Sequence, residues 1–145
     1  MSTISFFVCG EPAMKGSTKS FPFKGKDGRI HVSTTNASKR TEPWQGRVAT
    51  EAQRVYESRG VLITVPVEVS MLFYFTRPKS VSVKKRKYPT CKFDLDKLAR
   101  NVLDGLTGTI YEDDQQVIDF GKVSKRYADN GQAPGCFISV TEVSP

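Results

Sequence analysis

Between Val61 and Phe75 the chain alternates, with Val65, Val67, Val69, Met71, Phe73 and Phe75 on one side and Glu68, Ser70 and Tyr74 on the other. A period of two over that length is a β-strand with one buried face. Such a face needs a covering layer, and the flanking segments supply one. Upstream, Thr41 can cap a helix that opens with Glu42 and Pro43, carries Trp44, Val48, Ala52 and Val55 at spacings of three to four, and stops at Gly60. Downstream, Leu95, Leu98, Val102 and Leu106 are helically spaced between Asp96 and Gly108. Three shorter strands complete the pattern: Ile4 to Cys9, ended by Gly10-Glu-Pro12, and Gln116 to Tyr127 and Gly135 to Val143 around an Asp129-Asn-Gly turn. Lys15 to Thr41 shows neither period and reads as a long loop holding a short hairpin around Lys26-Asp-Gly28. The expected fold is α/β (α+β) in β-α-β-α-β-β order, a mixed sheet packed by two helices, in one domain spanning residues 1–145.

With 145 residues, roughly two thirds of the unfolded surface can be buried, which suffices for a core without staples. Cys9, Cys91 and Cys136 are odd in number and lack CxxC spacing, so a disulfide framework and a zinc site are both unexpected. They read as reduced thiols of a soluble, cytoplasmic protein. No apolar run is long enough to cross a bilayer, since Thr64, Pro66, Glu68 and Ser70 interrupt the best one. P-loop, GxGxxG, HExxH and GxSxG patterns are absent, so no small-molecule cofactor is expected. His31, the single histidine, reads as incidental. The net charge of +7 favours a polyanion as partner.

Against that charge stand six carboxylates between residues 94 and 114: Asp94, Asp96, Asp104, Glu112, Asp113 and Asp114. Convergent carboxylates repel one another unless a cation sits among them, and hard divalent ions such as Mg²⁺ or Mn²⁺ take oxygen ligands of this kind. An EF-hand is excluded, because Leu98 and Ala99 stand where ligand oxygens are needed. Helical spacing puts Asp96, Arg100 and Asp104 on one side, and the strand after Asp113-Asp114 is expected to carry those two acids back to the helix start. The plainer account makes Asp94 or Asp96 a helix cap, pairs Asp104 with Arg100, and leaves residues 112–114 a solvated turn. It explains one such acid better than six. Just upstream, Arg77, Lys79, Lys84, Lys85, Arg86, Lys87 and Lys92 form a basic run with no acid among them.

Asp94-Leu-Asp96-Lys-Leu-Ala-Arg100-Asn-Val-Leu-Asp104-Gly-Leu, followed by Tyr111-Glu-Asp113-Asp114-Gln-Gln-Val117, resembles the RusA family of Holliday junction resolvases of phages and prophages. The opening strand with Gly10-Glu-Pro12-Ala-Met-Lys15-Gly16 and the basic run are similar to the family too. The resemblance implies a homodimeric endonuclease in a bacterial or phage-infected cell. It would bind four-way DNA by shape and cut two strands of like polarity with Mg²⁺ or Mn²⁺. By position it makes Asp94, Asp96 and Asp114 the metal carboxylates, with Asp113 beside them. Arg100 falls where the family commonly has a lysine and Lys97 where it commonly has an asparagine. Arg100 is therefore expected at the scissile phosphate as a charge, since a guanidinium gives up no proton near neutral pH. Lys15, Lys19, Lys84, Lys85, Arg86, Lys87 and Lys97 are the expected DNA contacts, touching phosphates rather than bases. The alternative function is a non-catalytic basic DNA- or RNA-binding module of phage origin.

Overall fold

A computed structural model describes residues 2–15, 18–24, 26–36 and 41–144, with the backbone alone at 18–24, 30–36 and 41–42. In chain order its elements are β1 (Thr3–Cys9), β2 (Thr18–Lys24), β3 (Ile30–Asn36), α1 (Thr41–Arg59), β4 (Val67–Phe75), α2 (Leu95–Leu106), a 3-10 turn (Asp114–Gln116), β5 (Val117–Tyr127) and β6 (Gly135–Glu142). The alternation read from the sequence is real from Val67 to Phe75, where every second residue of β4 is buried, but the strand starts at Val67 and not at Val61: residues 61–66 are a connecting strap with Val61 exposed. The five buried β4 residues join Ile4 and Val8 of β1, Ile138 and Val140 of β6, Trp44, Val48 and Ala52 of α1, and Leu98, Val102 and Leu106 of α2 in one core. Trp44, the single tryptophan, is a core residue.

The four-stranded sheet runs β1-β6-β4-β5. β6 is antiparallel to both β1 and β4, whereas β5 is parallel to β4, so the sheet is mixed as expected. A parallel neighbour cannot be reached by a tight turn and requires a crossover. Here the crossover is residues 76–116, which contain the basic run, α2 and every acid of the motif.

The region from Lys15 to Thr41 departs from expectation. It is not mainly loop: β2 and β3 pair antiparallel from Thr18–Asn36 to Lys24–Ile30 as a separate two-stranded sheet. Its turn is the Lys26-Asp-Gly28 segment named from sequence, with the Arg29 N–H donating to Asp27 Oδ1 at 2.9 Å and Gly28 at φ 78°. A ribbon stabilised by its own backbone bonds needs no alternating apolar pattern, so its strands carry no period-two signal in the sequence.

α2 lies against α1 at Gly105, where a Cβ would stand 2.8 Å from Val48 Cγ1 and 3.2 Å from the Gln45 carbonyl oxygen. Alanine in a helix interior is worth up to about 1 kcal/mol over glycine, but overpacking a filled core costs about 1–3 kcal/mol. The clash wins. Gly105→Ala should lower the melting temperature by roughly 3–5 °C, about what 1 kcal/mol does at this chain length; a rise on thermal melting would show that the helices separate freely.

Candidate active site and nucleic-acid interface

Asp94 occupies the N-cap position of α2, yet its side chain makes no capping hydrogen bond. It stays 67% exposed and pairs with Lys97 one turn on, Nζ to Oδ2 3.5 Å. Asp96 follows in the first turn, also exposed, as is Arg100. Among the described residues neither Asp96 nor Arg100 has a side-chain partner. Asp104 does, though it is Lys15 rather than Arg100, Nζ to Oδ2 3.2 Å. Lys15 is placed there by the chain after β1, whose backbone is stitched to α2. The Lys15 N–H donates to the Lys97 carbonyl at 2.9 Å, and Asn101 Nδ2 donates to the Ala13 carbonyl at 2.9 Å. Lys19 belongs to β2, and its side chain lies outside the described residues.

Asp113 and Asp114 sit at the other end of the helix. The buried Tyr111 donates its hydroxyl to the Leu103 carbonyl at 2.9 Å, and Gly108 N–H to Tyr111 O at 2.8 Å closes the turn that follows α2. Asp113 is the true cap of this region: its Oδ1 accepts the Gln115 N–H at 2.9 Å in a capping box with Gln116. Asp114 holds its proton more tightly than an ordinary aspartate, through partial desolvation, a hydrogen bond with Asp113 and the charges of Asp113 and Asp104. Burial, chiefly, also raises the Tyr111 hydroxyl, and Asp114, Asp104 and Asp113 add to it.

The expected return of Asp113 and Asp114 to the helix start is therefore corrected. β5 begins beside the start of β4 and runs parallel to it, so the two acids precede the strand at the far end of α2. From Asp96 to Asp104 the helix rises about 12 Å. What β5 brings to the helix start is Lys125, whose Nζ donates to the carbonyls of Phe93 at 2.7 Å and Cys91 at 3.1 Å. Among the described residues no group of three or more His, Cys, Asp or Glu side chains stands close enough to hold a metal ion.

The basic run is a built loop. Arg77 Nε and Nη2 each donate to an oxygen of Asp129 at 2.9 Å. Its Nη1 reaches the Arg86 carbonyl at 2.6 Å and its Nη2 the Lys87 carbonyl at 3.3 Å. Its guanidinium also lies 4.1 Å from the centre of the Tyr127 ring. Arg86 turns inward, Nη1 donating to Tyr127 Oη and to Cys91 Sγ, both at 3.3 Å. Lys84, Lys85 and Lys87 are exposed; Lys85 Nζ reaches the Ser80 carbonyl at 3.4 Å, and Lys87 Nζ lies 5.4 Å from the Tyr88 ring centre. The loop thus separates its cations into two that hold it together and several that face solvent.

A model of the family described as Endodeoxyribonuclease RusA matches residues 20–141. The chain belongs to the RusA endodeoxyribonuclease family. It is also 33% identical to the uncharacterized protein YqaN of Bacillus subtilis (strain 168), over an alignment that covers 99% of each chain. No helix among the described residues is long and apolar enough to cross a membrane, and all three cysteines are free thiols, Cys136 buried and the other two exposed.

RusA-family nucleases are in general dependent on a divalent metal; the oxygen-donor chemistry of these acids suits a hard cation, although one chain holds them as two groups at opposite ends of α2. Asp94 makes no capping hydrogen bond, Asp96 has no side-chain partner among the described residues, and the charges of Asp113 and Asp104 that, after desolvation, help Asp114 hold its proton are ones a cation would offset. Tyr111 and Gln116 stand in the motif read from the sequence, but their hydrogen-bonding roles did not show there, and Lys125 and Asp129 did not read as parts of this region at all. For Asp129 the turn was visible, but a partner 52 positions away was not.

The Arg77 pair carries a pH dependence with a definite sign. Arg77 holds the Asp129 carboxyl below its ordinary value of 3.8, mainly through their hydrogen bond. Its contribution is complete above that ordinary value and is lost as pH falls through the lowered, folded one. Asp129→Asn should speed tryptic cutting at Lys84 to Lys87 at neutral pH and lower the melting temperature there, and the gap from wild type should close in acid. A gap that persists in acid would mean that the pair is not what holds the loop.

Proposed function

We propose that this protein is a divalent-metal-dependent endodeoxyribonuclease that resolves four-way DNA junctions, acting as a two-fold pair of chains in DNA recombination and repair. The observation that carries the reading is the state of the crossover. The acidic motif of the RusA family lies within it on exposed surface, Asp96 and Arg100 have no side-chain partner among the described residues, and a preformed basic loop leads directly into Asp94. A non-catalytic binding module would need the lysines but has no use for those acids.

Asp94, Asp96 and Asp114 would hold Mg²⁺ or Mn²⁺, with Asp113 and Asp104 adding negative charge. Such an ion, when bound, supplies Lewis acidity that makes water at the site more acidic and neutralises the phosphate. Arg100, between Asp96 and Asp104 on the same helix face, donates to phosphate oxygens as charge builds on them. It serves as a fixed charge, not as an acid or base. Lys84, Lys85 and Lys87 reach junction phosphates directly, with Lys19 on the ribbon as a further contact, while Arg86 shapes the loop that presents them. Lys15 and Lys97 have a double role, since each neutralises an acid of the site while lying in the path of the backbone.

Within one chain Asp94 and Asp96 stand at the start of α2 and Asp114 follows its far end, with about 12 Å of helix rise between Asp96 and Asp104. A two-fold partner that lays its helix start against this Asp114 would complete the carboxylate set, twice per dimer. Two exposed apolar side chains on edge strand β5, Ile118 at 62% and Phe120 at 48%, line one depression with Asp114 and Leu103 and offer that partner surface to bury. In this arrangement Asp96→Asn and Asp114→Asn alone should each bind a synthetic four-way junction and fail to cut it. Their mixture should recover nicking, because each mixed dimer holds one site with both acids intact. Continued silence of the mixture on a denaturing gel would place all the ligands in one chain. Cutting by either variant alone would remove that residue from the chemistry.

Arg100 separates charge from proton transfer. Arg100→Lys should stay active, and Arg100→Ala should cut about 10²-fold more slowly, the size typical of removing one transition-state donor, with junction affinity in EDTA unchanged. A wild-type rate for Arg100→Ala in single-turnover cleavage would reduce it to a solvated helix residue.

A further inference from the structure

Gln116 uses its whole amide. Oε1 accepts the backbone N–H groups of Glu112 and Asp113, each at 2.9 Å, and Nε2 donates to the carbonyls of Ile63 at 2.9 Å and Val65 at 3.0 Å. A primary amide offers two donor hydrogens and two acceptor sites, and all four are engaged here. On one side it holds the turn that presents Asp114. On the other it holds the strap between α1 and β4, itself bonded to the crossover by Ile63 N–H to the Ile110 carbonyl at 2.9 Å.

Hydrophobic packing anchors the chain on either side, at buried Ile110 and Tyr111 and at half-buried Val117, but not the turn between them. No residue of Asp114–Gln116 is buried, Glu112 and Asp113 are exposed, and Gln116 is half-buried. Between those anchors the position of the backbone before Asp114 depends on hydrogen bonds, and among the described residues Gln116 supplies the side-chain ones that join the turn to the strap. A glutamate would keep the acceptors and lose both donors, while a methionine of similar length would lose everything.

We propose that Gln116 is a positioning residue for cleavage: it locks the Asp113-Asp114 turn to the Ile63–Val65 strap, so that the Asp114 carboxylate meets the cation without reorganising. This rests on the reading of Asp114 as a metal ligand. Residues that orient a ligand without touching the ion typically account for about 10- to 100-fold in metal affinity or activity.

The experiment compares full-length wild type, Gln116→Met, Gln116→Asn, Ile110→Val and Asp114→Asn in four measurements: melting temperature, junction binding in EDTA, calorimetric titration with Mn²⁺, and junction cleavage against Mn²⁺ concentration. Gln116→Asn keeps the amide but is one methylene too short to span both partners, and it serves if the methionine variant does not fold. Ile110→Val weakens the core under the same connection without touching the amide. The expected result is Mn²⁺ affinity weaker by about 10- to 100-fold in Gln116→Met, weaker to a smaller degree in Gln116→Asn, junction binding as in wild type, and cleavage that returns as Mn²⁺ is raised. Ile110→Val should lose melting temperature and keep its Mn²⁺ affinity. The inference is overturned if both Gln116 variants bind Mn²⁺ as tightly as Ile110→Val does. Cleavage by Asp114→Asn at the wild-type rate, or wild type that takes up no Mn²⁺, would instead sink the reading of Asp114 and take the proposal with it.

Discussion

The parallel pairing of β4 with β5 is the constraint from which the rest of the molecule follows. Two parallel neighbours must be joined by a chain that leaves one end of the sheet and re-enters at the other. That chain is residues 76–116, with α2 in its middle. The acids before and in the first turn of α2 then stand at one end, and Asp113 and Asp114, just ahead of β5, stand at the other. A spacing that looks like a single cluster along the sequence becomes two groups of acids at opposite ends of α2.

Electrostatics in this protein is a matter of assignment more than of net charge. Arg77 and Arg86 lie in the basic run, but their guanidinium groups are committed to Asp129, Tyr127, Cys91 and loop carbonyls. Planar donors suit that work, since one group can satisfy several acceptors at fixed angles. The lysines of the same loop, each a compact charge on a flexible stem, remain on the outside. Among the acids the division runs the same way: Asp113 caps a turn, Asp104 is held by Lys15, Asp94 is loosely held by Lys97, and Asp96 has no side-chain partner among the described residues. Side chains that secure the scaffold and side chains available for chemistry alternate along one short stretch.

The sequence by itself determined the strand at the centre of the sheet, both helices nearly to the residue, the turn at Asp129-Asn-Gly and the motif that carries the family. These are local properties: period two, period 3.6, a threonine where α1 begins, a glycine at φ 76° that ends it. The turn at Lys26-Asp-Gly28 was legible, but only the tertiary structure decided that Thr18–Lys24 and Ile30–Asn36 pair along their whole length, because these segments carry no apolar alternation. It also decided which end of α2 receives Asp113 and Asp114, which depends on β5 being parallel to β4, a relation between strands that no local pattern encodes. The partners of Arg77, Asp104 and Gln116 were hidden for the same reason. Each bond joins groups far apart in the chain, Lys15 to Asp104 and Gln116 to Ile63 among them, and such contacts come into being only when the core brings α1, α2 and the sheet together.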